Sequence, residues 1–290
     1  MKQFFADHYF RIGQAHIANG TPCQDFALSG RAGPGAWAVL SDGCSSGGHT
    51  DMGARILSFA TAAAIRAALE EGTFPAGRGG ADRVGQAQKA AISEAQRVHS
   101  LDPQDMLATC LWACATPLGG MVHVRGDGVA AWLLRDGRVA MSRYDWPDNR
   151  PFYPAYEAQD GGAAFAAAQG GDMAAPVFRE ERWIHVPSLG FLEAGTSEHS
   201  LAEGMAGAVS LFGAAHVADE ISFIALFSDG VEQIDGLGWK EAVLELLAFK
   251  TEKGAFVKRR AMRAIRDGAS KGRRPVDDIA CAVIGVAAED

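Results

Sequence analysis

Cysteine is scarce here and badly placed for its usual structural uses. The five present (Cys23, Cys44, Cys110, Cys114, Cys281) are odd in number and include no C-x-x-C pair, which argues against a disulfide framework and against a zinc ribbon. Free, mostly buried thiols are the expectation. Positive charge is also short: 27 Lys and Arg stand against 35 Asp and Glu, a formal −8. That balance does not suit a protein spread over nucleic acid or anionic lipid, although a local basic patch is allowed. Long apolar runs are missing too. The best candidate, Ile56 to Leu69, is interrupted by Ser58, Thr61 and Arg66 and reads as too short and too polar to cross a bilayer. Met1 to Arg11 carries Lys2, Asp7 and His8 and no apolar signal core, so a cytoplasmic protein with no membrane and no nucleic-acid partner is expected.

What is there suffices for a sizeable core: 290 residues, 48% of them apolar, read as one domain over 1–290. Tyr9 to Ile17, Asp25 to Gly30 and Ala36 to Leu40 are β-prone runs separated by Gly, Pro and Asn. Helical spacing follows over Asp51 to Glu71 and, after a Gly-rich link at 72–80, over about Ala81 to His99. Strands resume at Thr109 to Ala115, Met121 to Val124, Val129 to Leu134 and Arg138 to Met141, with Asp136-Gly137 as a hairpin signal. Tyr144 to Met173 is an aromatic and proline-rich, then Ala/Gly-rich, excursion from the core. Arg182 to Val186 and Ser222 to Phe227 are further strands, Trp239 to Lys250 and Phe256 to Ser270 a second helix pair, and Ile279 to Val286 a last strand. This order predicts an α+β, four-layer α-β-β-α sandwich, two antiparallel sheets flanked by helix pairs.

Four aspartates stand where a buried strand meets a turn: Asp25, Asp42, Asp229 and Asp277. Carboxylates gathered at one sheet edge repel in a partly desolvated place, and a divalent cation removes that cost. Mg²⁺ or Mn²⁺ takes hard oxygen ligands and keeps waters, so aspartates plus a backbone carbonyl make a suitable shell. Ser-Asp-Gly occurs twice, at Ser41-Asp42-Gly43 and Ser228-Asp229-Gly230, and glycine offers an unshielded carbonyl beside the carboxylate.

These segments, in order, carry a resemblance. Ile12-Gly13-Gln14-Ala15-His16 with Cys23-Gln24-Asp25-Phe26-Ala27, then Ala38 to Gly43 with Gly47-Gly48, Leu107-Ala108-Thr109, Val124-Arg125-Gly126-Asp127, Phe227-Ser228-Asp229-Gly230 and Asp277-Asp278-Ile279-Ala280 carry an order and spacing that agree from about residue 9 to 287. The chain resembles the metal-dependent protein phosphatases of type 2C, particularly their compact bacterial branch. The resemblance implies a serine/threonine phosphoprotein phosphatase that hydrolyses phosphate monoesters with a metal-activated water. Two ions would be held by Asp42 as bridge, the Gly43 carbonyl, Asp229 and Asp277, with Asp25 in the outer shell and Asp127 placed for a third, weaker ion. A phosphorylated protein and a cognate serine/threonine kinase system are the implied partners, and a monomer is expected.

The chain departs from the family in four places. His16 stands where an Arg often grips phosphate, a weaker anion grip than a guanidinium. Cys44 stands where some members carry a general-acid His, leaving protonation of the leaving group to metal-bound water. Gly128 follows Asp127 in place of Ser-Arg, and Asp278 replaces an Asn, adding a carboxylate that is itself a candidate ligand. These changes motivate two alternatives: a catalytically weakened, phosphoprotein-binding or regulatory module, and a hydrolase of small phosphoesters. His49 is taken as a surface or capping residue, with contact to the site as the alternative. Lys253 to Arg274 holds nine basic residues against Asp267 alone; it reads as the solvated face of a helix with Phe256, Val257, Ala261, Met262 and Ile265 inward, or as a docking surface for an acidic partner.

Overall fold

The computed structural model describes residues 3–73 and 78–287; 74–77 of the Gly-rich link lie outside the described residues, as do 1–2 and 288–290. In chain order, β1 (Phe4–Arg11), α1 (Gln14–Asn19), β2 (Phe26–Ala32) and β3 (Gly35–Ser41) precede a helix pair, α2 (Thr50–Glu70) and α3 (Arg78–His99). Next come β4 (Cys110–Thr116), β5 (Gly119–Arg125), β6 (Gly128–Leu134), β7 (Val139–Asp145), α4 (Pro154–Asp160) and α5 (Ala163–Ala168). The chain continues with β8 (Pro176–Val186), β9 (Gly190–Ser200), α6 (Leu201–Ala206), β10 (Ala208–Gly213) and β11 (Ile221–Phe227), then α7 (Trp239–Leu247), α8 (Phe256–Ala269) and β12 (Ile279–Val286).

Two antiparallel sheets result, ordered β1-β12-β11-β6-β7-β8-β9 and β10-β5-β4-β3-β2. Strands buried on both faces read as continuous apolar runs, as in β4, β11 and β12. One face of each sheet meets the other in a core that includes Leu40, Leu111, Val124, Ile224, Leu226 and Ile284. The outer face of the five-stranded sheet carries α2 and α3 through Val39, Trp112, Leu57, Ile65, Val84 and Ile92. The outer face of the seven-stranded sheet carries α7 and α8 through Phe227, Val283, Val243, Val257 and Ile265. The four-layer expectation is met.

Several local readings need correction. Residues 12–17 do not prolong a strand: β1 ends at Arg11, and α1 is clipped to the loop before β12 by Gln14 N–H donating to Pro275 O (3.1 Å) and Ala15 N–H to Val276 O (2.9 Å). A Cβ on Gly13 would collide with the Asp277 backbone, so only glycine permits that approach. β9 and β10 were not expected, because Gly190–Ser200 has only two large apolar side chains and forms an edge strand whose surface is largely wet. By length and composition α2 is the one helix able to cross a bilayer among the described residues, contrary to the reading of Ile56 to Leu69. Half of its most apolar window is buried inside the fold, against the sheet and α3. On α8, Met262 is 51% exposed and not inward, since it follows Ala261 by about 100° around the helix. The excursion is also less external than its composition suggests. Tyr144, Trp146 and Phe152 are buried in the core between the sheets, and only its Ala/Gly half lies mainly at the surface.

Candidate active site and metal centre

Strand register gathers the acids. Phe26 pairs with Ser41, so Asp25 and Asp42 leave β2 and β3 at one end of the five-stranded sheet. Cys110 pairs with Arg125, which brings Thr109 and the Arg125–Gly128 turn to that end. Phe227 pairs with Val129 and with Cys281, placing Asp229, Asp127 and Asp277 at the matching end of the other sheet. Asp42, Asp127, Asp229 and Asp277, with Gly43 and His16, line one cavity of about 290 Å³. Gly230 lets the two loops touch, since a Cβ there would collide with the Asp278 carbonyl oxygen.

Backbone and side-chain contacts fix each acid. The Asp42 N–H donates to Thr109 Oγ1 (3.1 Å) and its carbonyl accepts from Thr109 N–H (2.8 Å). The Gly43 N–H donates to Gln24 O (3.2 Å). The Gln24 amide donates to Thr50 Oγ1 (2.8 Å), and Thr50 donates to Cys44 O (3.1 Å), tying α2 to the Asp42-Gly43 turn. Gln233, in the turn after β11, donates through Nε2 to Asp229 Oδ2 and Asp277 Oδ2, both at 3.1 Å.

Asp25 does not line the cavity. It is buried next to Asp42, with Oδ2 accepting from Ser228 Oγ at 2.6 Å and Oδ1 lacking any partner. Burial raises the Asp25 carboxyl well above the usual carboxylate range, the neighbouring Asp229 adds to the shift, and only the Ser228 and Asp42 hydrogen bonds oppose it. Burial, then repulsion from Asp25 and Asp229, does the same to Asp42. Asp127 is pushed up to about 8 by burial and by Asp229. Asp277 is raised by burial, partly offset by the Asp278 N–H that donates to its Oδ1 (2.8 Å) and by His16.

Asp278, expected as a candidate ligand, braces the backbone of two loops. Its Oδ1 accepts from Gly13 N–H (2.7 Å) and its Oδ2 from Gln24 N–H (2.6 Å), and it lies outside the cavity wall. His16 sits between acids, Nδ1 2.9 Å from Asp278 Oδ2 and Nε2 4.0 Å from Asp277 Oδ1. Donor atoms of His16, Asp277 and Asp278 lie within 4.8 Å of one another, but both oxygens of Asp278 are already committed to backbone N–H groups. A buried carboxylate so satisfied is a scaffold for the loops around it.

Among the described residues no Lys or Arg forms an ion pair with Asp25, Asp42, Asp127, Asp229 or Asp277. The cluster is therefore a set of hard oxygen donors whose mutual repulsion and burial raise one another's pKa, with one buried oxygen orphaned. Such a set fits hard divalent cations, which replace the missing positive charge.

Some of the cavity wall was not expected. Gln233 lies four residues beyond Asp229 with nothing in the local sequence to mark it. Asp148, Asn149, Arg150 and Tyr153 line the cavity from the excursion, where the Pro- and Tyr-rich text signalled only an irregular segment. Cys44 lies in the wall with Sγ 3.1 Å from Ser46 Oγ. Tyr153 is buried, and burial and the adjacent Cys44 thiol raise its hydroxyl pKa, so that it stays a neutral donor. His49 does not line the cavity; its N–H donates to Asp105 Oδ1 (2.6 Å) at the start of α2.

Comparison with known proteins adds a family match. A family model described as protein phosphatase 2C matches residues 12–267. Similar solved structures include a bacterial serine phosphatase, 9% identical over 99% of this chain and 100% of that one, with a TM-score of 0.55. The serine/threonine phosphatase Stp1 from Staphylococcus aureus is 9% identical over 98% of this chain and 96% of that one, with a TM-score of 0.54. The catalytic domain of the serine threonine protein phosphatase PstP, in complex with two manganese ions, is 17% identical over 99% of both chains, with a TM-score of 0.51. At these identities the likeness to the solved structures is one of fold. No curated protein sequence matches the chain.

Proposed function

The chain belongs to the protein phosphatase 2C family of metal-dependent serine/threonine phosphatases, and we propose that Asp42, the Gly43 carbonyl, Asp229 and Asp277 hold two ions of Mg²⁺ or Mn²⁺ for hydrolysis of phosphoserine and phosphothreonine in proteins. The observation that carries this assignment is the uncompensated acidic cavity: four half-buried aspartates from separate loops, with Asp25 beneath them and, among the described residues, no ammonium or guanidinium paired to any. When bound, the cations supply an acidified water as nucleophile and take up charge on the phosphoryl oxygens.

The chain's own residues do the positioning. Thr109 locks the backbone of Asp42, and Ser228 holds Asp25 against it. Gln233 spans Asp229 and Asp277, setting their separation. Asp278 gathers Gly13, Gln24 and His16 and so keeps the Asp277 loop against the Asp25 and Asp42 turns. Asp127 stands in the wall of the same cavity, which supports its part in holding a third, weaker ion. The 144–173 segment contributes Tyr153 and Arg150 to the wall, which supports a part in substrate choice. Five free cysteines support a cytoplasmic, reducing location.

Release of phosphate from a phosphothreonine peptide with Mn²⁺, repeated with Asp42→Asn, tests the reading. Turnover by the parent chain that the variant loses is expected. Retained phosphopeptide and Mn²⁺ binding without turnover would assign a binding module instead, and turnover of an aryl phosphate alone would assign a small-ester hydrolase.

A further inference from the structure

The segment that follows β7 is anchored at both ends and strained between them. Trp146 is buried, stacks on Phe178 at 4.9 Å and donates its indole N–H to Gly126 O at 2.9 Å. On the far side Phe152 is wholly buried and Tyr153 nearly so. Between them the chain reverses through two consecutive residues in the left-handed region, Asp148 at φ 55° and Asn149 at φ 51°. Each such non-glycine residue costs roughly 1–2 kcal/mol, least for Asp and Asn. The reversal is closed by Asn149 N–H donating to Trp146 O and Arg150 N–H to Pro147 O, both at 3.2 Å.

This turn brings Arg150 to the rim of the acidic cavity. Arg150 is the one Lys or Arg among the described residues of the cavity wall, and its side chain is exposed. It forms no ion pair or side-chain hydrogen bond with any described residue, although five aspartates share the wall with it. Arg143, by contrast, sits directly on its carboxylates nearby. Local strain held by packed anchors is commonly stored where a side chain must be presented for function. The same cavity holds His16 next to Asp277 and Asp278, where it has two carboxylates to face and little freedom to serve an anion.

We propose that Arg150 grips the phosphoryl oxygens of the substrate, supplying from the strained turn the guanidinium that His16 lacks. The planar fork matches two phosphoryl oxygens at once. A phosphate drawn to the cavity by cations held there would give Arg150 its partner. The inference rests on the metal-dependent phosphatase reading, so its test includes binding as well as turnover.

Orthophosphate binding to the Mn²⁺-loaded protein is measured by calorimetry for the parent chain, Arg150→Ala and Arg150→Lys, alongside Mn²⁺ affinity and the KM for a phosphothreonine peptide. Arg150→Ala should weaken orthophosphate binding and raise KM by roughly 10- to 100-fold, with Arg150→Lys between and Mn²⁺ affinity unchanged. Orthophosphate binding within twofold of the parent in Arg150→Ala, a matching loss of Mn²⁺ affinity, or no orthophosphate binding by the parent each overturns it. Absence of turnover in the parent chain with orthophosphate binding still lost in Arg150→Ala would instead strike the phosphatase reading and leave Arg150 as an anion site.

Discussion

Two acidic clusters lie side by side at the same end of the sandwich and are handled in opposite ways. In one, Arg143 on β7 reaches Glu232 at 2.6 Å, Asp145 at 3.4 Å and Glu181 at 3.6 Å, so three acids share one guanidinium. In the other, Asp25, Asp42, Asp127, Asp229 and Asp277 gather around one cavity, and among the described residues no Lys or Arg forms an ion pair with any of them. Both clusters are partly desolvated. Burial raises Glu232 to about 7 even against the pull of Arg143, whereas among the described residues no Lys or Arg pairs with Asp25 or Asp42 to oppose the shift. A chain that supplies a counter-charge at one cluster and withholds it a few residues away is what the proposed metal site requires.

The largest expected break of this contrast is Asp42→Asn. Phosphopeptide turnover should fall by about 10³-fold or more, since several kcal/mol of transition-state stabilisation pass through the ions. The same variant should melt at a higher temperature than the parent when both are chelated, because one repelling carboxyl is gone. A lower melting temperature would mean that Asp42 is already compensated.

Gln233→Ala comes next. Losing a group that spans two ligands typically lowers metal affinity by about 10- to 100-fold, and a Mn²⁺ titration followed by calorimetry reads it. An unchanged affinity would show that Gln233 leaves both carboxylates when cations enter.

Arg143→Met addresses the other cluster. Stability should drop by about 1–3 kcal/mol in urea unfolding, as Glu232, Glu181 and Asp145 lose their shared donor. Mn²⁺ affinity should stay put. A metal defect without a stability defect would merge the two clusters into one.

The smallest effect is the pH dependence of the chelated protein. A carboxyl whose folded pKa exceeds its unfolded value holds its proton more tightly in the folded state. Folding is therefore penalised as pH rises from about 4 through the folded value, which for Asp127 is about 8. His123 acts with the opposite sign. Burial, with Arg125 nearby, lowers it to about 3, so its penalty appears as pH falls below about 6.5. The chelated protein should lose melting temperature between pH 6.5 and pH 8, and Mn²⁺ should restore more at pH 8 than at pH 6. An equal Mn²⁺ shift at both values would show that the acids do not compete with protons for the ions.

Much of the frame was legible because burial writes itself into composition. β12 was read at its observed bounds, Ile279–Val286, since a strand buried on both faces is an unbroken apolar run flanked by polar residues. The helix pairs showed by their period. β9 did not, because an edge strand needs backbone pairing more than apolar side chains. In the site, Asp42 and Asp229 stood out through their Ser-Asp-Gly turns, while Gln233 acts only through where its turn folds back. Asp278 looked like one more ligand, and only the fold shows that each of its oxygens also braces a backbone N–H from a distant loop.

The sequence alone determined the layers and the placing of acids at strand ends, because periodicity and the cost of a buried charge are local properties of the chain. Tertiary structure decided which of those acids share a cavity, which are spent on backbone donors, and that Arg150 arrives from a segment with no motif of its own. Those outcomes depend on strand register and on loops meeting across two sheets, and no stretch of residues encodes such a meeting by itself.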